Sequence, residues 1–261
     1  MKNIIPFLLI SFFLNISCKK DTPIEEKEPN NSQKKVEVST PLCSSQSKKL
    51  ETDPSILGLD ISHFQGDIKW EKIKSDGVNF IYIKASEGTE FKDPMYTQNY
   101  TSAKKACLYR GAYHFYETGK NPKKQAQNFI EAVNKLESGD LPPVIDLEEL
   151  GIKTPVTKEM YETNTLLWLK IVEEKLGVRP IVYTNTIFAN TYLKHPEFSK
   201  YKLWIADYTK AQSPEVPYTW RSKGWIIWQR TDQKKIKGAL GDVDYDIFNG
   251  NAEAFIKLIK K

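Results

Sequence analysis

Cysteine, histidine and methionine each occur only three times in 261 residues, and their spacing excludes whole classes of chemistry. Cys18, Cys43 and Cys107 form no CxxC pair, so a zinc ribbon, a thioredoxin-type redox motif and a densely stapled small domain are not expected. His63, His114 and His195 are dispersed without ligand spacing, and no metal site is expected from them. His63 follows Ser62, but that adjacency alone does not make a catalytic triad. The chain also lacks a Gly-x-Ser-x-Gly elbow, a P-loop and a dinucleotide Gly-x-Gly-x-x-Gly, so no cofactor is expected. There is no excess of one charge sign: 38 Lys and Arg stand against 33 Asp and Glu, a net +5. The excess is spread out with no Arg-rich cluster, so no nucleic-acid partner is expected, and the mild positive charge fits a diffusely anionic wall or membrane surface.

Long hydrophobic runs are missing too. The apolar stretch Ile4 to Ile16, preceded by Lys2, falls short of the ~20 residues that a spanning helix needs. It reads instead as a signal peptide over residues 1–17, which implies export. Ser17 before Cys18, with Leu14 upstream, resembles a bacterial lipobox in which Cys18 is lipidated. Asn15 stands where such a box usually has leucine, and an ordinary cleaved signal is the alternative. Acylation would hold the protein on a membrane. Residues 18–53 are rich in Lys, Glu, Ser, Thr, Asn and Pro with few large apolar side chains, and read as a disordered tether. Cys43 lies in that tether. Cys107 lies in a helical pattern, where it is expected as a small buried apolar residue, although an oxidising compartment would allow the two to pair.

From Ile56 onward short apolar runs alternate with longer periodic segments. Ile56 to Ser62, Phe80 to Ser86, Arg110 to Tyr116, Pro143 to Glu149 and Pro180 to Thr186 read as strands, being short and rich in Val, Ile, Tyr and Phe. Helical periodicity marks Pro94 to Cys107, Pro122 to Leu136 and Lys158 to Leu176, the last stopped by Gly177. Three further strands follow, at Leu203 to Tyr208, Trp225 to Arg230 and Val243 to Ile247, and Ala252 to Ile259 closes as a helix. This alternation predicts an α/β fold closed into a barrel over residues 54–261, a single domain expected to be monomeric, with its chemistry at the C-terminal ends of the strands.

Polar residues at those ends are Asp60, the pair Asp146 and Glu148, and Asp244. Residues two apart on a strand share a face, so Asp146 and Glu148 should both enter the barrel mouth while Ile145 and Leu147 pack outward. Two carboxyls this close cannot both ionise freely, which keeps a proton on one and a charge on the other. That is an arrangement for protonating a leaving oxygen beside a developing positive charge. A solvated loop carrying two acids is the bland alternative. Among the aromatics on or beside strands, Tyr183, Trp204 and Tyr208 lie toward strand ends and are candidates for a cleft wall; Tyr113 joins them on its own strand.

Taken together the motifs resemble glycoside hydrolase family 25, the Chalaropsis-type lysozymes. The resemblance rests on six blocks in family order: Gly58-Leu59-Asp60-Ile61-Ser62 with Gln65-Gly66 and Trp70; Ile83-Lys84-Ala85-Ser86-Glu87-Gly88; Gly111-Ala112-Tyr113-His114-Phe115; Pro142 through Glu148; Leu203-Trp204-Ile205-Ala206; and Val243-Asp244-Tyr245-Asp246. It implies a modified TIM-like barrel of five βα units followed by three strands. It also implies cleavage of the β-1,4 bond between N-acetylmuramic acid and N-acetylglucosamine in peptidoglycan, with glycan strands as the partner. By the same resemblance Glu148 would be the acid and base, Asp146 the stabiliser, Asp60 and Asp244 further site carboxylates, and Glu87 a cleft or substrate-contacting acid. Ser86 stands where the family often has Thr, and Asp246 where it often has Asn. A chitinase-like glycosidase and a non-catalytic peptidoglycan-binding lipoprotein are the alternatives.

Overall fold

The alternation of short strands and helices closes into a ring. A computed structural model describes Cys43, residues 50–51 and residues 55–259, all within one compact unit spanning Thr40–Lys261. The expected signal peptide, Cys18 and most of the expected tether lie outside the described residues. Nine strands form one sheet, β1 (Leu57–Ile61), β2 (Val78–Glu87), β3 (Phe91–Lys92), β4 (Tyr109–Phe115), β5 (Val144–Asp146), β6 (Ile181–Asn185), β7 (Lys202–Ala206), β8 (Ile227–Lys234) and β9 (Val243–Phe248). Pairing of β1 with β2 closes the ring and leaves only the two-residue β3 outside it. Ring neighbours are parallel except at β9, which runs antiparallel to both β8 and β1.

Helices follow β1, the β2–β3 pair, β4, β5 and β6. They are α1 (Trp70–Ser75), α2 (Tyr96–Lys105), α3 (Pro122–Val133), α4 (Lys158–Leu176) and α5 (Thr186–Tyr192), whereas β7, β8 and β9 are joined without α-helices. The expected five βα units and three strands are therefore what the chain forms, and α6 (Ala252–Ile256) follows them. Local sequence sets the helix limits. Asn121 accepts hydrogen bonds from the Lys123 and Lys124 amides ahead of Pro122. Thr157 caps α4, and Gly177 ends it at φ 69°, a left-handed conformation that glycine adopts without penalty. Among the described residues no helix is long and apolar enough to cross a membrane.

Strand alternation sorts the core into two layers. Phe80, Tyr82, Val144, Ile181, Tyr183, Trp204 and Ile227 fill the barrel interior, while Ile81, Ile83, Ile145, Leu147, Val182, Leu203, Ile205 and Trp228 pack outward against the helices. Two glycines make the interior possible. A Cβ at Gly58 would lie 2.2 Å from the Phe80 ring, and one at Gly111 would lie 2.1 Å from the Tyr82 ring. Each ring of β2 thus leans over a neighbouring strand where no side chain stands, filling the barrel with one large residue instead of two. Phe255 of α6 packs against Phe80, Tyr109 and Phe248.

Two residues placed in the tether belong to this body. Leu50 is buried in the inner cluster, and Cys43 is disulfide-bonded to Cys107. Cys107 is buried as expected, but as half of a disulfide and not as a free apolar residue. It lies just past α2 with φ 57°, where the chain has left the helix for the turn into β4.

Candidate active site

The C-terminal ends of the parallel strands and the N-terminal end of antiparallel β9 surround a cleft of about 320 Å³. Asp60 of β1, Asp146 of β5, Glu148 just beyond it and Asp244 of β9 all line it, as do Tyr113, Tyr183, Trp204 and Tyr208. The expected strand Pro143 to Glu149 is shorter, ending at Asp146, yet Leu147 still donates its amide to Tyr183 O and Glu148 keeps extended dihedrals, φ −147° and ψ 173°. Alternation therefore survives past the ladder. Ile145 and Leu147 face the helices, and Asp146 and Glu148 face the cleft.

Strand register brings the other acids together. Asp60 is paired with Asp244, and Gly58 with Asp246, across β1 and β9. Burial pushes the Asp60 carboxyl well above the ordinary range, and Asp244 and Asp246 add to it. Burial likewise raises Asp146, helped by Glu148, and raises Glu148, helped by Glu149 and Asp244. Asp244 is pushed up to about 6, again chiefly by burial. A dry site crowded with carboxyls holds protons near neutral pH because removing each one puts another negative charge into low dielectric.

Three groups at the site escaped the sequence reading. Gln229 of β8 is a hub: its Oε1 accepts from the hydroxyls of Tyr183 and Tyr208, both at 2.8 Å, and its Nε2 donates to Asp60 Oδ2 at 2.7 Å. The signal for it was the same alternation, since Ile227 two residues earlier is an interior residue. Lys84 is the cation among the residues lining the cleft. It donates to Glu87 Oε2 at 2.6 Å and lies 4.8 Å from the centre of the Phe115 ring, and its charge opposes the upward shifts of Asp146 and Glu148. Glu87 itself is not among the residues lining the cleft and meets it through Lys84. Phe64, 80% exposed on the cleft lip, sits in a loop fixed by the Ser62–Gln65 capping box and by Asp93, which accepts from the His63 amide at 3.0 Å.

The aromatic candidates differ in what they can offer. Tyr183 and Trp204 are buried, with their polar atoms engaged by Gln229 and Asp246, whereas Tyr208 is half exposed. No group of three or more His, Cys, Asp or Glu among the described residues is disposed to hold a metal ion.

The sequence profile of glycosyl hydrolases family 25 matches residues 59–239, a span that holds the end of β1, all of β2 through β8 and every cleft carboxyl but Asp244. The chain belongs to glycosyl hydrolases family 25. This family 25 protein is 33% identical over 215 residues to the uncharacterised protein YegX of Escherichia coli K12, covering 79% of the chain and 75% of that relative. It is 31% identical over 212 residues to lysozyme M1 of Streptomyces globisporus, with 78% and 71% covered. Among solved structures, the bacterial lysozyme from Streptomyces coelicolor superposes with a TM-score of 0.73 at 30% identity, over 78% of this family 25 chain and 97% of that one.

Proposed function

We propose that this protein is an exported N-acetylmuramidase that hydrolyses the β-1,4 bond between N-acetylmuramic acid and N-acetylglucosamine in peptidoglycan. The observation that carries the reading is the convergence of Asp60, Asp146, Glu148 and Asp244 on one aromatic-walled cleft in a family 25 barrel whose relatives include proteins named as lysozymes. A module that only binds glycan needs rings and hydrogen bonds, not a buried set of proton-holding acids.

Glu148 serves as the general acid. Burial and its acidic neighbours favour its protonated form, so it can give a proton to the glycosidic oxygen as the bond to C1 breaks. Burial and Glu148 raise Asp146 as well, against Lys84, so the active form in this proposal is the pair holding one proton on Glu148, with the Asp146 anion supporting the sugar cation. Asp146 Oδ1 is buried without a hydrogen-bond donor from the protein, a costly state unless a ligand supplies one. The N–H of the substrate's 2-acetamido group is a donor of the right kind. Accepting it would orient the acetamido oxygen to attack C1, forming a cyclic cation and displacing the leaving sugar with overall retention. Water then opens the cation while Glu148 takes back a proton. Neighbouring inward carboxyls leave little room for a separate water on the opposite sugar face, which favours this route over inversion.

Cys18 is the lipid attachment point in this proposal, holding the enzyme on a membrane of the cell envelope through residues 19–42. Proton NMR of the first-formed product from purified peptidoglycan tests the stereochemistry: a β-anomer at new N-acetylmuramic acid ends is expected, and an initial α-anomer contradicts it. Activity on chitin without activity on peptidoglycan would favour the chitinase-like reading, and wall binding without release of ends would favour the non-catalytic one.

A further inference from the structure

The parallel strands all end at the cleft, so their beginnings form the opposite face, the base of the barrel. The α6 helix closes that face through Phe255. Each helix between two parallel strands returns from the cleft side to the base, which brings the last turns of α2 and α4 there too. The two faces differ in charge. Asp60, Asp146, Glu148, Asp232 and Asp244 line the cleft with Lys84 as their cation. At the base the acids are largely neutralised: Glu137, Asp140, Glu173, Glu197 and Glu253 are each salt-bridged to a Lys or Arg, and among the described residues Glu51 is the acid left over.

Lysines are in surplus on the same face. Lys105 ends α2, Lys135 follows α3, Lys175 lies in the last turn of α4, Lys202 opens β7 and Lys223 lies in the turn into β8. All are exposed, and among the described residues none is salt-bridged. Lysine complements the negative end of a helix, which accounts for Lys105 and Lys175. It does not account for Lys202 on a strand or Lys223 in a turn. A second observation singles out this face. Cys107, two residues past Lys105, is bonded to Cys43, so the chain that precedes Cys43 joins the barrel at its base.

We propose that the base of the barrel docks on an anionic lipid surface and leaves the acidic cleft open on the side away from the membrane. Such a surface attracts nearby Lys and Arg and repels carboxylates, so charge alone selects the face that meets it. The contact is electrostatic and weakens as salt is added. A lipid on Cys18 would hold the chain by this same face. Presentation of the cleft to glycan strands rests on the muramidase reading; the docking does not.

Lysine acetylation followed by mass spectrometry shows which face is covered. The protein is the full chain carrying Cys18→Ser, so that no acyl chain takes part, and the probes are vesicles of mixed phosphatidylglycerol and phosphatidylcholine. Pure phosphatidylcholine vesicles report any binding by the apolar stretch Ile4 to Ile16. On mixed vesicles Lys105, Lys202 and Lys223 should be acetylated several-fold more slowly than in the free protein, whereas exposed Lys123, Lys124 and Lys158, where α3 and α4 begin on the cleft side, should react as before. A lysine held near an anionic surface strengthens binding about fivefold. Lys105→Gln, Lys202→Gln and Lys223→Gln together should therefore weaken the phosphatidylglycerol-dependent binding about a hundredfold, and Lys123→Gln, Lys124→Gln and Lys158→Gln together by less than about twofold. Equal protection of the two sets, protection of neither, or a base variant that binds like wild type overturns the proposal. Protection of the base lysines by purified cell wall and not by mixed vesicles assigns the face to a wall polymer and overturns it as well. None of these readouts needs hydrolysis, so an inactive wild type would sink the muramidase reading and leave the docking to be decided by the vesicles.

Discussion

Replacing Gln229 by leucine tests whether the floor of the cleft is held as a single polar network. The amide joins Tyr183, Tyr208 and Asp60 through hydrogen bonds of 2.8, 2.8 and 2.7 Å. Tyr183 is buried, so its hydroxyl would be left without an acceptor, a cost of about 1–3 kcal/mol. Asp60 would lose the donor to its Oδ2, roughly another 0.5–1.5 kcal/mol, while half-exposed Tyr208 can turn to water at little cost. Burial of the leucine offsets part of this, leaving a net loss of about 1–3 kcal/mol against a typical total of about 5–15. Urea denaturation of Gln229→Leu measures it directly, and kcat/KM on peptidoglycan should fall in parallel because Asp60 is no longer anchored. Gln229→Glu separates the contributions: it still accepts from both tyrosines but turns an oxygen toward Asp60, so its stability should drop as pH rises. A leucine variant that loses less than about 1 kcal/mol and keeps its activity would show that the three contacts do not act as a network.

Three further outcomes follow from the fold. Gly111→Ala forces a Cβ to within 2.1 Å of the Tyr82 ring and should cost about 3 kcal/mol through overpacking, read as a lowered urea midpoint; a neutral effect would mean that the ring moves freely. Cys43→Ala and Cys107→Ala should each destabilise equally, and their double variant no further, because the Cys43–Cys107 bond closes a loop of sequence separation 64, worth up to about 4 kcal/mol in the chain-entropy account. His114, boxed in by Ser86, Gln125 and Trp168, is pushed down to about 3, chiefly by burial, from an ordinary 6.5. Its neutral form is the folded one, so its contribution is complete above pH 6.5 and declines by about 1.4 kcal/mol per unit as pH falls toward 3. The stability gap between wild type and His114→Gln should shrink over that window, whereas the raised acids, Asp244 among them, act in the opposite sense in both proteins.

How much of this was legible in the sequence depends on the range of the interaction. Asp146 and Glu148 could be placed in the cleft from strand period alone, because Val144 and Asp146 share one face and Ile145 and Leu147 the other. The α4 helix was readable from Lys158 to Leu176, its periodicity bounded by Thr157 and Gly177. Gln229 obeys the same period but carries no charge, and only the closed ring shows that Tyr183, Tyr208 and Asp60 from three other segments meet it. Lys84 is hidden in an apolar strand, and its value lies in a contact with Glu87 and in its distance from acids on another strand. The disulfide was open in the sequence only as an alternative to a free, buried Cys107, because a cysteine in a polar segment and another at the end of a helical pattern meet only once the barrel exists. Leu50 likewise looked like an isolated apolar residue until an interior was available to bury it.

The central claim is that Glu148 is the proton donor of a peptidoglycan hydrolase. Its most direct measurement compares purified wild type with Glu148→Gln on purified peptidoglycan, following soluble muropeptides and new reducing ends. Wild type should release fragments ending in N-acetylmuramic acid, and the glutamine variant, equally folded and equally bound to the wall, should be slower by about 10²–10⁴-fold. Equal rates for the two proteins, or ends at N-acetylglucosamine only, would contradict the account.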